Sequence, residues 1–268
     1  MNTLPALSDY GGGQRTPRDD WRGGALRAAL AFASLFVAVS VLLSSAAPCA
    51  AAAPDSASFD VRAFRLLNGR LVNPVFDAVM PVATDFGKWR IVVILIWCAL
   101  VIFGKTRGRW AALTLIPVIA ASDQLSSHLV KPLVERVRPC DILGSVRLWQ
   151  GAHGWITTPA EVARSYKSSF SFPSSHAANI TASMLFLGLA YRRWLAPLLA
   201  LALVVSFSRI YVGVHWPSDV LVGIAIGAAI AAAAYLLFSR LYREGTRAEA
   251  PASAEHEPPS SGAPDVSE

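Results

Sequence analysis

The chain reads as an all-α, polytopic membrane protein: a bundle of about six transmembrane helices, with its chemistry at the outer interface. Three observations support this. Hydrophobic residues fill 54% of the 268 positions and charged residues only 16%, with a mean hydropathy of +0.44, which is more apolar than a soluble domain of this length. The apolar residues gather in stretches long enough to cross a hydrocarbon core. Short polar blocks stand at the edges of those stretches, where a charged side chain is costly unless it has a use.

In chain order, residues 1–24 are rich in Gly, Pro and charge and read as a solvated cytoplasmic tail. Residues 25–58 hold the first predicted span, 28–46, and a linker. A basic start, an apolar run and then Ala50-Ala51-Ala52-Ala53 also fit a secretory signal, but the run is near full spanning length and the segment ahead of it is long, so an uncleaved helix is expected. From 59 to 81, apolar residues recur at helical spacing (Phe64, Leu67, Leu71, Val75, Ala78), broken at Asn73-Pro74, which predicts short amphipathic helices lying in the interface. Further spans are predicted at 82–103, 110–130, 176–191, 194–214 and 220–238, within a membrane-embedded domain of 59–243. The second of the six is the least uniform, because Asp85, Lys88 and Arg90 must sit at the interface. The loop 140–172 shows no strand pattern; its Trp149, Trp155, Ile156 and Tyr166 either anchor in the interface or pack over the helix ends. Residues 244–268, rich in Ala, Pro, Ser and Glu, read as a second solvated cytoplasmic tail.

Orientation follows from the basic loops. Arg15, Arg18, Arg22 and Arg27, then Lys105, Arg107 and Arg109, then Arg192 and Arg193, then Arg240 and Arg243 all fall on one side of a six-pass path, which should be the cytoplasm. The polar blocks then face outward. Arg62, Arg65, Arg70, Lys131, Arg136 and Arg138 run against this rule, although the polar blocks themselves account for two of the last three, Lys131 and Arg138, and not for Arg136. The net charge of +6 is largely topogenic and does not imply nucleic-acid binding. Three cysteines make no disulfide framework: Cys98 lies within a span as a small packing residue, and nothing brings Cys49 to Cys140.

In the first polar block, Lys131 and Arg138 are two helical turns apart and share a face if the helix continues past Pro132, with Pro139 then stopping it. Arg grips two phosphate oxygens and Lys adds a compact charge, although alone the pair also suits cations snorkelling to headgroups. Asp123 and His128 on the same span are expected to form internal hydrogen bonds. In the second block, Pro173-Ser174-Ser175 is a helix start with unpaired donors, and His176 in the first turn is placed to protonate a leaving oxygen; alone it is a cap with a nearby His. In the third, Arg209 ends a span, His215 lies in the turn, and Asp219 opens the next span, where its carboxylate can set the His215 tautomer. Alone, such a His and Asp are equally an ion pair.

In order and internal spacing, the three blocks resemble the signature motifs of the type 2 phosphatidic acid phosphatase and vanadium haloperoxidase superfamily, and SFPSSHAANITAS and SRIYVGVHWPSD resemble its bacterial membrane members. The resemblance covers roughly 60–240, with one departure at Ser175, where many members have Gly. It implies that Lys131, Arg138, Arg209, Ser174 and Ser175 bind phosphate, and that His215 is the nucleophile oriented by Asp219, with His176 as acid and then base. It further implies hydrolysis of a lipid phosphate or diphosphate through a phosphohistidine, with no metal and no cofactor. The candidates are undecaprenyl diphosphate, phosphatidate, phosphatidylglycerophosphate and lipid A. The expected setting is a bacterial inner membrane, with the site facing the periplasm and membrane lipids and a lipid phosphate as partners. Arg164 and Lys167 are candidates for a second phosphate. Phosphotransfer between lipids and a noncatalytic transporter or lipid-binding protein are the alternatives, and nothing in the sequence sets an oligomeric state.

Overall fold

The computed structural model describes residues 56–161, 166 and 169–248. The expected first span, the N-terminal tail, Cys49, Arg164 and Lys167 lie outside those residues. Helix α1 (Phe59–Phe64) begins where Ser58, in extended backbone, accepts from the Val61 N–H at 3.4 Å, and it runs on as a π-helical turn, Arg65–Arg70. Asn73 caps α2 (Pro74–Thr84) by accepting from the Phe76 N–H at 2.9 Å, with Pro74 at a position that needs no donor. The break at Asn73-Pro74 thus falls where the sequence places it. Asp85 then ends α2 and caps α3 (Phe86–Phe103), so the second span starts at Phe86 and not at 82. Helix α3 buries no residue, and Ile91, Leu95, Ile102 and Phe103 are all exposed, as on a lipid-facing helix.

Helix α4 (Lys105–Asp123) continues through a π-helical turn, Gln124–Val130, into α5 (Lys131–Val134). It ends at Glu135, which is left-handed at φ 50°. The helix therefore does not reach Arg138, and the expected shared face for Lys131 and Arg138 is not formed; Arg138 lies in extended backbone. Pro139 does not stop a helix but opens a short one, α6 (Pro139–Ile142). The loop beyond it holds an antiparallel pair, β1 (Arg147–Trp149) and β2 (Trp155–Thr157), with Leu148 opposite Ile156. This corrects the expectation of helices alone. Three-residue strands are too short to show a period, and this pair is held by packing: Trp149 meets Trp155 edge-on at 5.5 Å, and Trp155 meets Tyr211 at 5.7 Å. Trp149, Trp155, Ile156 and Tyr166 pack on the core beneath the hairpin.

Helix α7 (Ser175–Ala190), a 3-10 turn (Arg192–Trp194), α8 (Leu195–Tyr211) and α9 (Pro217–Ala248) complete the bundle. Helix α9 runs past 243, where a solvated tail was expected to begin; in the turn before that point, Phe238 is buried against Phe186. Among the described residues, three helices are long and apolar enough to cross a membrane: Phe86–Phe103, Arg192–Tyr211 and Pro217–Tyr242. Two further expected spans are helical without meeting that standard. Lys105–Asp123 carries four charged residues at Lys105, Arg107, Arg109 and Asp123, and Ser175–Ala190 is 16 residues long.

Helix α7 is central, packed by α9, α8 and α4. Two glycines set its distance from α9. A Cβ at Gly223 would stand 2.5 Å from the Ser174 carbonyl oxygen, and one at Gly227 would stand 2.3 Å from that of Ala178. Four residues apart on one face, they let the two backbones touch, the small-residue packing that membrane helices favour. This contact delivers the start of α7 to the start of α9, where the Ser174 N–H donates to the Asp219 carbonyl at 3.0 Å.

Candidate active site

The three blocks meet where α7 and α9 begin and α8 ends. His215 lies in the turn between α8 and α9 and is 1% exposed. One hydrogen of Arg138 Nη1 goes to the Val214 carbonyl at 2.8 Å, and Nη1 also stands 3.2 Å from His215 Nε2. A guanidinium only donates, so Nε2 must be the accepting nitrogen and the ring proton belongs on Nδ1. Nδ1 faces Asp219 Oδ2 at 3.5 Å. Burial, and then the charges of Arg138, Arg209 and Lys131, hold the His215 pKa well below its ordinary value, so the imidazole is neutral with a lone pair on Nε2. That is the state a nucleophile needs.

Around it, the expected phosphate ligands are differently engaged. Arg138, 5% exposed, also donates from Nε to the Ser169 carbonyl at 2.8 Å and from Nη2 to Ser169 Oγ at 3.0 Å and the Phe170 carbonyl at 3.2 Å. Every donor is therefore used within the protein, and a bound phosphoryl group must exchange with one of these contacts. Burial lowers the Arg138 pKa from its ordinary value without threatening its charge. Lys131 is half-buried, forms no hydrogen bond or ion pair among the described residues, and has its pKa lowered by burial and by Arg138 and Arg209. An anion would relieve that repulsion. Arg209 Nη1 donates to Thr84 Oγ1 at the end of α2, while its Nε is buried with no partner among the described residues.

Ser174 caps α7, accepting from the Ala177 N–H at 3.4 Å, and Ser175 Oγ is 2.8 Å from Ser127 Oγ in the π-helical turn. Ser127 in turn donates to Asp123 Oδ1 at 3.1 Å, in keeping with the internal hydrogen bonds expected of Asp123. The Ser175 and His176 N–H groups are first-turn donors of α7, and the His176 ring is exposed. Among the described residues, no three His, Cys, Asp or Glu side chains converge as a metal-ligand set.

Sequence reasoning missed the surroundings of Asp219. This wholly buried carboxylate accepts from Arg136 Nη1 at 2.8 Å on Oδ1, and from the Trp216 N–H at 2.9 Å and Ser171 Oγ on Oδ2. Arg136 Nη2 pairs with Asp60 Oδ2 in α1 at 2.6 Å. Burial opposes the charge of Arg136, but Asp219 and Asp60 more than offset it and raise its pKa. The available signal was Arg136 itself, the one cation of its block without a use.

The sequence pattern of the PAP2 superfamily matches residues 111–243, which take in all three blocks. The decaprenylphosphoryl-5-phosphoribose phosphatase of Mycobacterium tuberculosis is 32% identical over 145 residues, 51% of this chain and 68% of that protein. The chain belongs to the PAP2 superfamily. This PAP2 chain is also 34% identical over 115 residues to the lipid A 4'-phosphatase of Bacteroides thetaiotaomicron; the match is 41% of the chain and spans only 45% of that relative's length. The crystal structure of a transmembrane PAP2 type phosphatidylglycerolphosphate phosphatase from Bacillus subtilis shares the fold, with a TM-score of 0.51 at 21% identity over 79% of this chain and 96% of that one. The protein is thus a helical membrane protein of the PAP2 fold.

Proposed function

We propose that this PAP2 protein hydrolyses a lipid phosphate or diphosphate at the outer face of a bacterial inner membrane, through a phosphohistidine at His215 and without a metal. The observation that carries the proposal is a buried neutral imidazole whose Nε2 lone pair is met by Arg138, with Lys131 and Arg209 close enough to act on its pKa. Phosphoryl transfer asks chiefly for charge neutralisation and positioning, and here three fixed cations supply the neutralisation. In this reading the phosphoryl group exchanges for the Arg138 contact at Nε2, held by Lys131, Arg138, Arg209, Ser174 and the Ser175 N–H. Nε2 forms a bond to phosphorus as the ester or anhydride bond breaks, and His176, protonated once the bound anion offsets the charges of Arg209, Lys131 and Arg138, gives its proton to the departing oxygen. The developing positive charge on His215 is met by Asp219 across Nδ1–H. His176 then takes a proton from water, whose oxygen displaces Nε2 and releases phosphate.

The setting favours a lipid whose chain stays among the helices while its headgroup meets the cations. The matched relatives are named for lipid phosphates of several kinds, and a polyprenyl diphosphate or glycerolipid phosphate is the reading taken here. In domain terms, 59–243 carries the site. The test is phosphate release in detergent with EDTA present, from undecaprenyl diphosphate, phosphatidate, phosphatidylglycerophosphate and lipid A, by wild type and His215→Ala. Release that the substitution abolishes supports the reading. A wild type inert on all four, or a fully active His215→Ala, overturns it.

A further inference from the structure

We propose that Arg136, braced by Asp60, is a positioning residue that holds the Asp219 carboxylate toward His215, making helix α1 part of the catalytic arrangement. The inference rests on the phosphatase reading above and adds a residue that reading does not use. Arg136 touches neither His215 nor, on its contacts, the phosphate cradle. Its Nη1 donates to Asp219 Oδ1 at 2.8 Å and to Ser218 Oγ at 2.6 Å, and its Nη2 to Asp60 Oδ2 at 2.6 Å. The guanidinium lies over the Trp216 ring, 5.2 Å from its centroid, and Trp216 directly follows His215.

Asp60 does more than balance charge. Its Oδ1 accepts from the Ser218 N–H at 2.9 Å and its Oδ2 from Ser218 Oγ, so a residue of α1 caps the start of α9 from across the fold. Asp219 is the next residue along. A carboxylate free to rotate would exchange its two oxygens. Here Oδ1 is tied to Arg136 and Oδ2 to Ser171 and the Trp216 N–H, so only Oδ2 is presented to His215 Nδ1. Holding two carboxylates on separate nitrogens of one rigid plane is a task for Arg that Lys performs poorly.

The test uses the full-length protein in detergent, with Arg136→Gln, Arg136→Lys and Asp60→Asn, reading kcat and KM separately, the acid limb of kcat/KM, and the melting temperature. Arg136→Gln should lower kcat by about ten- to a hundredfold, the scale on which partners one step removed from a reacting group act. KM should change by less than about twofold. Arg136→Lys should recover part of the loss, and Asp60→Asn should show a smaller one. The charged and titratable groups facing His215 are Arg138, Arg209, Lys131, His176 and Asp219. Removing the Arg136 charge makes protonation of His215 easier, so the acid limb should move to higher pH in Arg136→Gln, and it should not rise in Asp60→Asn. A residue that merely supports the fold moves the melting temperature and not the limb.

An unchanged kcat and limb in Arg136→Gln overturns the proposal. So does a raised KM with intact kcat, which would make Arg136 a phosphate ligand. Should Arg136→Gln not fold, the partial loss in Arg136→Lys and the Asp60→Asn limb decide the matter. Carbethoxylation of His215 by diethyl pyrocarbonate, mapped by peptide mass against pH, reads the same limb without turnover. A wild type inert toward every lipid therefore sinks the phosphatase reading, while the His215 limb still judges this one.

Discussion

The two histidines of the site differ in exposure, although Arg138, Arg209 and Lys131 act on both. His215 is enclosed, with Arg138 on one ring nitrogen and Asp219 facing the other, while the His176 ring is exposed in the first turn of α7 and forms no hydrogen bond among the described residues. A nucleophile must be kept unprotonated and aimed, which burial among cations achieves. A residue that passes protons to a leaving group and takes them from water must be reachable by both, which enclosure would prevent. In the proposed mechanism, exposure is what separates the two roles.

The strongest way to break this contrast is His215→Ala. It should lower phosphate release by about ten thousandfold or more and remove any acid-labile phosphate trapped on the protein, because the proposed intermediate forms on His215. If His176→Ala costs as much, the assigned roles do not differ. The expected loss there is about a hundred- to a thousandfold, and it should shrink for substrates with an acidic leaving group that departs without a proton. An equal loss on all leaving groups would remove the general-acid role.

The pH dependence sharpens the comparison further. His215 is held neutral well below its ordinary value of 6.5, so the free enzyme should keep its nucleophile, and the acid limb of kcat/KM should lie well below pH 6.5. Stability has the matching sign. In the unfolded chain His215 gains a proton near its ordinary value and in the folded chain it does not, so its contribution is intact above that pH and falls as the solution is acidified through it. A melting temperature in detergent that rises from pH 7 to 5.5 in wild type relative to His215→Ala would contradict this. The smallest expected effect is on the distance between α7, which carries His176, and α9, which follows the His215 turn. Gly227→Ala brings a Cβ to 2.3 Å from the Ala178 carbonyl oxygen and should cost about 1–3 kcal/mol, measured as a lowered melting temperature.

Much of the site was legible in advance because its residue types and spacings are local. Ser174 and Ser175 open a helix, and His215 and Asp219 flank the start of another, just as their sequence neighbourhoods imply. Lys131 and Arg138 were expected to be joined by a continuous helix, yet the left-handed Glu135 ends it, and Arg138 reaches His215 through a loop. The hairpin was illegible because its two short strands depend on Tyr211, far along the chain, and not on any period of their own. The partly buried positions of Trp149 and Trp155 follow from that packing.

By itself, the sequence determined what is written in short range: apolar runs long enough for a membrane, the break at Asn73-Pro74, and polar blocks carrying the histidines, the carboxylate and the cations. Only the tertiary structure decided how those groups face one another. It set Arg138 on Nε2 of His215, tied Asp60 to Arg136 and Arg136 to Asp219, and let Gly223 and Gly227 close α9 onto α7. The physical reason is that propensity and spacing act over a few residues. A buried charge, by contrast, must find its partner wherever the fold brings one, as Asp219 does across the 83 positions to Arg136.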